Sequence, residues 1–196
     1  RLGNLLEAMT QTKLDNQRDV VKNERRQRVD NQPYGTAFEK IGEIMYPKGH
    51  PYNWTTIGSL EDLQAASMED VKSFFRQYYV PNNTILILSG DFNDKQARTW
   101  IEKYFGPIAK GTTEIVRPNN PIPKLEKEIR TTIEDSVPFQ RRYMVWHSVR
   151  TYAPDEPALD MLSFILSNGR TSRLQSNLLY GKEMVSQIFA NNGTNE

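Results

Sequence analysis

Apolar residues recur at helical spacing at the start of the chain, where Leu2, Leu5, Leu6 and Met9 share a face, and then thin out. From Leu14 to Gln32 only Leu14, Val20, Val21 and Val29 interrupt a polar and charged run. Residues 1–30 therefore predict one long helix, or two in line, burying a narrow face. Gln32, Pro33, Tyr34 and Gly35 break the period, and TAFEKIGEIMY restores it with Phe38, Ile41, Ile44 and Met45 to one side. A loop rich in proline, glycine and aromatics follows, PKGHPYNWTTIGS. Ser59 then predicts an N-cap for LEDLQAA, and Ser67 another for MEDVKSFFRQYY, whose Glu69 and Asp70 stand in the first turn where the helix dipole favours negative charge.

Pro81 ends that helix, and TILILSGDF is an apolar run too short for a helix, which predicts a buried strand over Thr84 to Leu88. NDKQARTWIEKYFG predicts a helix with Ala97, Trp100, Ile101, Tyr104 and Phe105 as its core stripe. Residues 107–123 carry prolines at 107, 118, 121 and 123 without sustained periodicity, and read as a linker. Beyond it, KEIRTTIEDS and FQRRYMVWHSV alternate as strands do, Pro154 to Leu166 is a largely apolar helix ended by Asn168 and Gly169, TSRLQSNLLYGKE is another helix, and MVSQIFA a further strand. This order predicts an α+β fold with helices on one face of an antiparallel or mixed sheet. The expected division is 1–106, a linker at 107–123, and 124–196.

Composition narrows the chemistry. The 196 residues carry 25 Lys and Arg against 24 Asp and Glu, a balance that argues against a dedicated nucleic-acid binder. No apolar stretch is long enough to predict a membrane-spanning helix. With no cysteine the chain offers no disulfide, thiolate zinc ligand or thiol nucleophile, and with only His50 and His147 it cannot build a His-rich metal site of its own. No glycine-rich phosphate loop is present, so no nucleotide is implied. The chain opens on Arg1 in what reads as mid-helix and stops just after a predicted strand, which leads us to expect a fragment lacking sequence at both ends.

The most informative stretch is QRDVVKNERRQR, in which Gln17 and Glu24 lie seven residues apart and share a helix face. By itself a polar helix of mixed charge is an ordinary solvated surface, and the run Arg25, Arg26, Arg28 reads as ion-pairing with interleaved Asp19, Glu24 and Asp30. Taken with HPYNWTTIGS, the Phe-rich helix ending YYVPNN, and ILILSGDF, however, the segment resembles the inverted-zincin M16 metallopeptidases, the insulinase and pitrilysin family that includes the mitochondrial processing peptidases. These features follow the family's order over residues 15–93.

The resemblance implies a LuxS/MPP-like metallohydrolase fold, with 1–106 the C-terminal part of the catalytic-type domain and 124–196 the start of a homologous second domain. In such peptidases an H-x-x-E-H helix supplies two histidines and the catalytic glutamate. Carried over, Glu24 falls on the third zinc-ligand position, and Gln17 on a supporting position normally acidic. An amide there can hydrogen-bond but supplies no negative charge. H-x-x-E-H is absent from these residues, so no catalytic residue is assigned to the chain, and the two histidine ligands are expected upstream. In the second half, the family's arginine and tyrosine that hold the substrate carbonyl correspond to Leu179 and Ser186, neither of which can do that chemistry. The substrate-binding residues are left unassigned.

The resulting expectation is part of a zinc-dependent metalloendopeptidase acting on peptides or small proteins, the fragment alone inactive and not holding zinc tightly. The competing class is a non-catalytic M16-like structural or peptide-binding subunit; retention of Glu24 favours the catalytic parent. Expected partners are a peptide substrate and either the missing parts of the same chain or a partner M16 subunit, with homo-oligomerisation open. A cysteine-free chain suits a periplasmic or secreted protein, with a cytoplasmic one as the alternative. His50, in GHPY, reads as a loop-ordering residue, and His147 as a packed strand residue.

Overall fold

Where a short polar side chain precedes a helical run, the helix begins. In the computed structural model, which describes residues 5–117 and 119–195, α1 spans Leu5–Ala8 and α2 spans Gln11–Arg25. Leu2 of the first predicted helix and Pro118 of the proline-rich stretch lie outside the described residues. The side chain of Thr10 accepts the Lys13 N–H and so divides α1 from α2. The last turn of α2 continues as a π-helical turn, Arg26–Asp30. Beyond Pro33 the chain turns through Tyr34, whose φ of 62° is rare for a residue with a Cβ. That residue is tied down: its N–H donates to Asp135 Oδ2 at 3.3 Å and its hydroxyl to the Phe139 carbonyl at 2.6 Å.

Helix α3 (Ala37–Met45) leads into the aromatic loop, and α4 (Leu60–Ala65) starts at Ser59, which accepts from the Asp62 N–H at 2.9 Å. Helix α5 (Met68–Tyr78) opens with a full capping box. Ser67 Oγ accepts from the Asp70 N–H, and the Asp70 carboxylate accepts from the Ser67 N–H at 2.7 Å. Hydrogen bonding at the helix start lowers the Asp70 pKa from its ordinary value. Helix α6 (Asp94–Phe105) is capped by Asn93. Between α5 and the proline-rich stretch the Asn82 side chain grips Gly111 by both backbone groups, at 2.8 and 3.3 Å. Gly111 is required there, since a Cβ would stand 2.8 Å from a methyl of buried Val80.

Two compact units divide the chain, Arg1–Gln140 and Arg141–Glu196. The first contains α1 to α6 and residues 107–123. The second is built on α7 (Glu156–Ser167), followed by a π-helical segment, Gln175–Gly181. Its C-terminal stretch is strapped to α7. Buried Ser167 Oγ accepts the Ala190 N–H at 2.8 Å, and Asn192 bridges Asp160 and Ser148.

The α+β expectation is corrected here. Among the described residues none lies in a β-strand: Thr84 to Leu88, 127–136, 139–149 and 184–190 run without a ladder. An alternating or apolar run says which surface would be buried, whereas a strand exists only by hydrogen-bonding to a neighbour, and these segments have none in register. The same lack shows on α6. Of its predicted core stripe Ala97 is buried, while Trp100, Tyr104 and Phe105 are exposed, because no sheet covers them among the described residues. Among the described residues the buried apolar ones are Met45, Val80 and Ala97.

Candidate functional site

Helix α2 mixes good helix formers with weak ones such as Asp15, Asn16, Val20 and Val21, carries few apolar residues, and has none fully buried. Lys22 and Arg25 in its last turn complement the helix dipole. Its attachment to the rest of the unit is polar. Arg18 donates from Nε to the Leu63 carbonyl at 3.0 Å and from Nη2 to the Ala66 carbonyl at 2.7 Å, satisfying carbonyls at the C-terminal end of α4 that have no partner within the helix. Lys22 reaches the Gln64 side chain. Arg25 makes the densest set. Its Nη1 donates to Glu39 Oε1 at 2.6 Å and to the Gly58 carbonyl at 2.7 Å, and Nη2 donates to Glu39 Oε2 at 3.0 Å. Asp30 lies 3.4 Å from Arg25 Nε, and the Thr55 hydroxyl donates to Glu39 at 3.2 Å.

Both side chains of the Arg25–Glu39 pair are largely withdrawn from solvent, at 15% and 18% exposure. The hydrogen bond from Arg25 lowers the Glu39 pKa against the opposing effect of burial, with the positive charge of Arg25 and the Thr55 hydroxyl helping. The same hydrogen bond raises the Arg25 pKa. Both groups are therefore charged at neutral pH.

Gln17 and Glu24 lie on another part of α2. At roughly 100° per residue each is about a quarter-turn from the arginine that follows it, so the two form a row beside the docked face, separated by roughly 10 Å of helix rise. Gln17 is exposed. Glu24 is 38% exposed and pairs with Arg28 one turn on, Oε1 to Nη1 at 2.9 Å. This places the candidate carboxylate on an accessible stretch of a helix whose rotation is fixed by its neighbours.

The loop after α3 holds His50. Its ring is buried and stacked on Tyr46, centroids 4.6 Å apart; Nδ1 accepts the Tyr52 N–H at 3.1 Å, and Nε2 is buried with no hydrogen-bond partner among the described residues. His50 orders its own loop, through its contacts with Tyr46 and Tyr52. The loop closes on α3 at Gly42, where a Cβ would come within 2.9 Å of the Tyr52 carbonyl oxygen. In the second unit His147 is half-buried, Leu179 is part of the π-helical segment and Ser186 is exposed on a bend. An open cavity of about 350 Å³ lies beside α7, lined by Asp160, Phe164, Ser167, Gln175 and Phe189 among others. No group of three His, Asp or Glu side chains that could hold a metal occurs among the described residues.

The Arg25–Glu39 pair is the feature of this region that sequence reasoning missed. Arg25 reads as one of a run of basic residues pairing with interleaved acids, and it does meet Asp30, yet its two-pronged partner lies fourteen residues on, in α3. A usable signal exists, since Arg18, Lys22 and Arg25 fall on one helix stripe and a stripe of long cations on a helix with so few apolar residues has to meet acceptors elsewhere.

The family model described as the Peptidase M16 inactive domain matches residues 65–196, and the chain belongs to this family. It is 35% identical over 185 residues to the zinc protease PqqE of Helicobacter pylori, covering 90% of this chain and 40% of that protein. It is 23% identical over 102 residues to the probable mitochondrial-processing peptidase subunit beta of Schizosaccharomyces pombe, covering 52% of this chain and 22% of that one. Among solved structures it is similar to a protease from Helicobacter pylori, with a TM-score of 0.66 and 27% identity over 96% of this chain and 46% of that one. The chain thus spans less than half the length of these relatives.

Proposed function

We propose that this chain is part of a zinc-dependent metalloendopeptidase that hydrolyses peptides or small proteins, in which Glu24 is the one zinc ligand the chain contributes and Gln17 a supporting position beside it. The observation that carries the reading is the presentation of Glu24: a carboxylate on a helix rotationally fixed by Arg18 and Arg25, partly open to solvent, and held for the present by an exposed arginine that a stronger cation can displace. The name of one relative as a zinc protease supports it.

The donors of the chain do not make a complete site. Hydrolytic zinc takes three protein ligands and leaves a position for water, and the described residues bring no three candidate ligands together. With no such cluster around Glu24 among them, the remaining ligands, two histidines in this reading, come from outside these residues. No step of hydrolysis is therefore derived from this chain, whose part is to hold one carboxylate in place.

Residues 1–106 are in this reading the end of a catalytic-type domain, 107–123 a linker, and 124–196 the start of a second domain. Leu179 and Ser186 offer no group for a substrate carbonyl, which leaves that role to another part of the protein or to a partner subunit. The cysteine-free composition is compatible with the periplasmic or secreted setting of this reading and with the cytoplasmic alternative.

The decisive experiment is zinc content of the protein that contains these residues, with and without Glu24→Gln. Loss of tight zinc and of peptide cleavage with the fold retained is expected; unchanged zinc and turnover overturn the ligand assignment. A second reading, a non-catalytic M16-like structural or peptide-binding subunit, is favoured by the match to a domain described as inactive and by an amide at position 17. Metal-free parent protein that still binds peptides would establish it.

A further inference from the structure

The helix that carries Glu24 is held by directional polar bonds beside a thin apolar seam of half-buried Leu14 and Val21. No residue of α2 is fully buried, and Val20 is exposed. Apolar contact tolerates sliding and rotation, whereas a guanidinium bound at several fixed acceptors does not. Two such anchors occur, seven residues apart. Arg18 holds two backbone carbonyls, Leu63 and Ala66, and Arg25 holds both Glu39 oxygens and the Gly58 carbonyl.

Each anchor immediately follows a member of the Gln17 and Glu24 row. Two points on one stripe determine both the axial position of a helix and its rotation, so fixing residues 18 and 25 fixes where the side chains at 17 and 24 emerge. Glu39 is itself oriented, accepting from Thr55 and belonging to α3, while Gly58 lies in the loop before α4. The anchoring acceptors therefore come from separate segments of the unit.

We propose that Arg18 and Arg25, the latter through Glu39, are positioning residues that set the rotation and register of α2 so that Glu24 reaches a metal with correct geometry. This rests on the reading of Glu24 as a zinc ligand. Lysine cannot replace Arg25, because a single ammonium cannot span both Glu39 oxygens and Gly58 with the planar fork that fits them.

The experiment uses the zinc-loaded protein that contains these residues, with R25M, R25K, R18K, E39Q, E24Q and, as a surface control, R76A, which removes the exposed Arg76–Glu69 pair. Zinc affinity is measured by chelator competition, ligand geometry by the visible absorption of the cobalt-substituted protein, and folding by melting in excess chelator. Removing an outer residue that orients a metal ligand commonly weakens the metal by about 10–100-fold, and that loss with an altered cobalt spectrum is expected for R25M and E39Q, with R25K between them and wild type. R76A is expected to match wild type. If R25M fails to fold, R25K and E39Q carry the test. Unchanged zinc affinity and cobalt spectrum in these variants, while E24Q loses zinc, overturn the positioning role and leave Glu24 as a ligand. Zinc losses that merely track the fall in chelator melting temperature also overturn it. Zinc retained in E24Q overturns the ligand reading, and the positioning role with it.

Discussion

The guanidinium of Arg25 meets the carboxylate of Glu39 edge to edge, with Nη1 to Oε1 at 2.6 Å and Nη2 to Oε2 at 3.0 Å, one residue beyond Glu24. Two parallel charge-assisted bonds restrain both planes, which a single contact would not. The third acceptor, the Gly58 carbonyl, extends the restraint to the loop before α4. The end of α2 is thus defined by an ion pair whose two members come from different helices, in a unit that has few buried apolar residues to define it otherwise.

This pair makes the docking of α2 acid-sensitive. The carboxyl of Glu39 has its pKa lowered by the hydrogen bond from Arg25, so its contribution to stability is fully present above the ordinary glutamate pKa of about 4.3 and is lost as pH falls through the lower folded value. Arg25 stays charged throughout. Hydrogen exchange of α2 amides is expected to accelerate as pH falls below that range once the intrinsic pH dependence of exchange is removed. E39Q should show the weakened docking already at neutral pH, with a loss of about 1–3 kcal/mol and a flatter acid dependence. An acid profile in E39Q identical to wild type would show that Glu39 does not carry the effect.

Gly42 reverses the usual preference of a helix interior. Alanine is worth up to about 1 kcal/mol over glycine there on propensity alone. At this position, however, a Cβ would come within 2.9 Å of the Tyr52 carbonyl oxygen and 3.4 Å of the Asn53 carbonyl oxygen, both backbone atoms of the loop that carries His50. Gly42→Ala is expected to lower the melting temperature and to speed exchange at the loop, a net loss of about 1–3 kcal/mol from forced displacement. A more stable Gly42→Ala protein would mean that the loop does not close on α3.

Legibility followed the range of the interaction. The caps at Ser59 and Ser67 are readable because donor and acceptor lie three residues apart. The common face of Gln17 and Glu24 follows from helical period alone. Arg25 and Glu39 are separated by a π-helical turn and a break at Pro33, so that only the place of Arg25 on the stripe of Arg18 and Lys22 sets it apart from Arg26, which reaches Asn23. The extended run at Thr84 to Leu88 misled in the opposite direction: apolar, β-branched residues specify something to be covered, and the ladder that would make a strand depends on a partner the run cannot name. The exposed Trp100 and Tyr104 of α6 have the same origin.

Zinc offers a direct check on the incompleteness of the donor set. One carboxylate already paired with Arg28 should not retain zinc against a chelator, and no cluster of three potential ligands is present among the described residues. The 196-residue chain on its own is expected to carry no stoichiometric zinc after dialysis and to cleave no peptide when zinc is added. Tight zinc measured by elemental analysis, with chelator-sensitive cleavage, would require a ligand set different from the one built around Glu24.

The run after the turn at Pro81–Asn83 should govern how the isolated chain behaves in solution. Ile85 and Ile87 are 87% and 83% exposed, and Leu86 and Leu88, which point the other way in an extended backbone, are exposed as well. A run bare on both faces offers both apolar side chains and backbone hydrogen-bonding groups to whatever meets it. At high concentration the first available surface is another copy, so sedimentation is expected to show concentration-dependent association of the isolated chain. Placing charge on one face with Ile85→Lys and Ile87→Lys should shift the chain toward monomer without altering the capped helices α4 and α5, which depend on their own Ser59 and Ser67. Circular dichroism would monitor the helices in the same samples. A chain that stays monomeric at high concentration, or one whose association survives both lysines, would show that these four side chains are not what drives it.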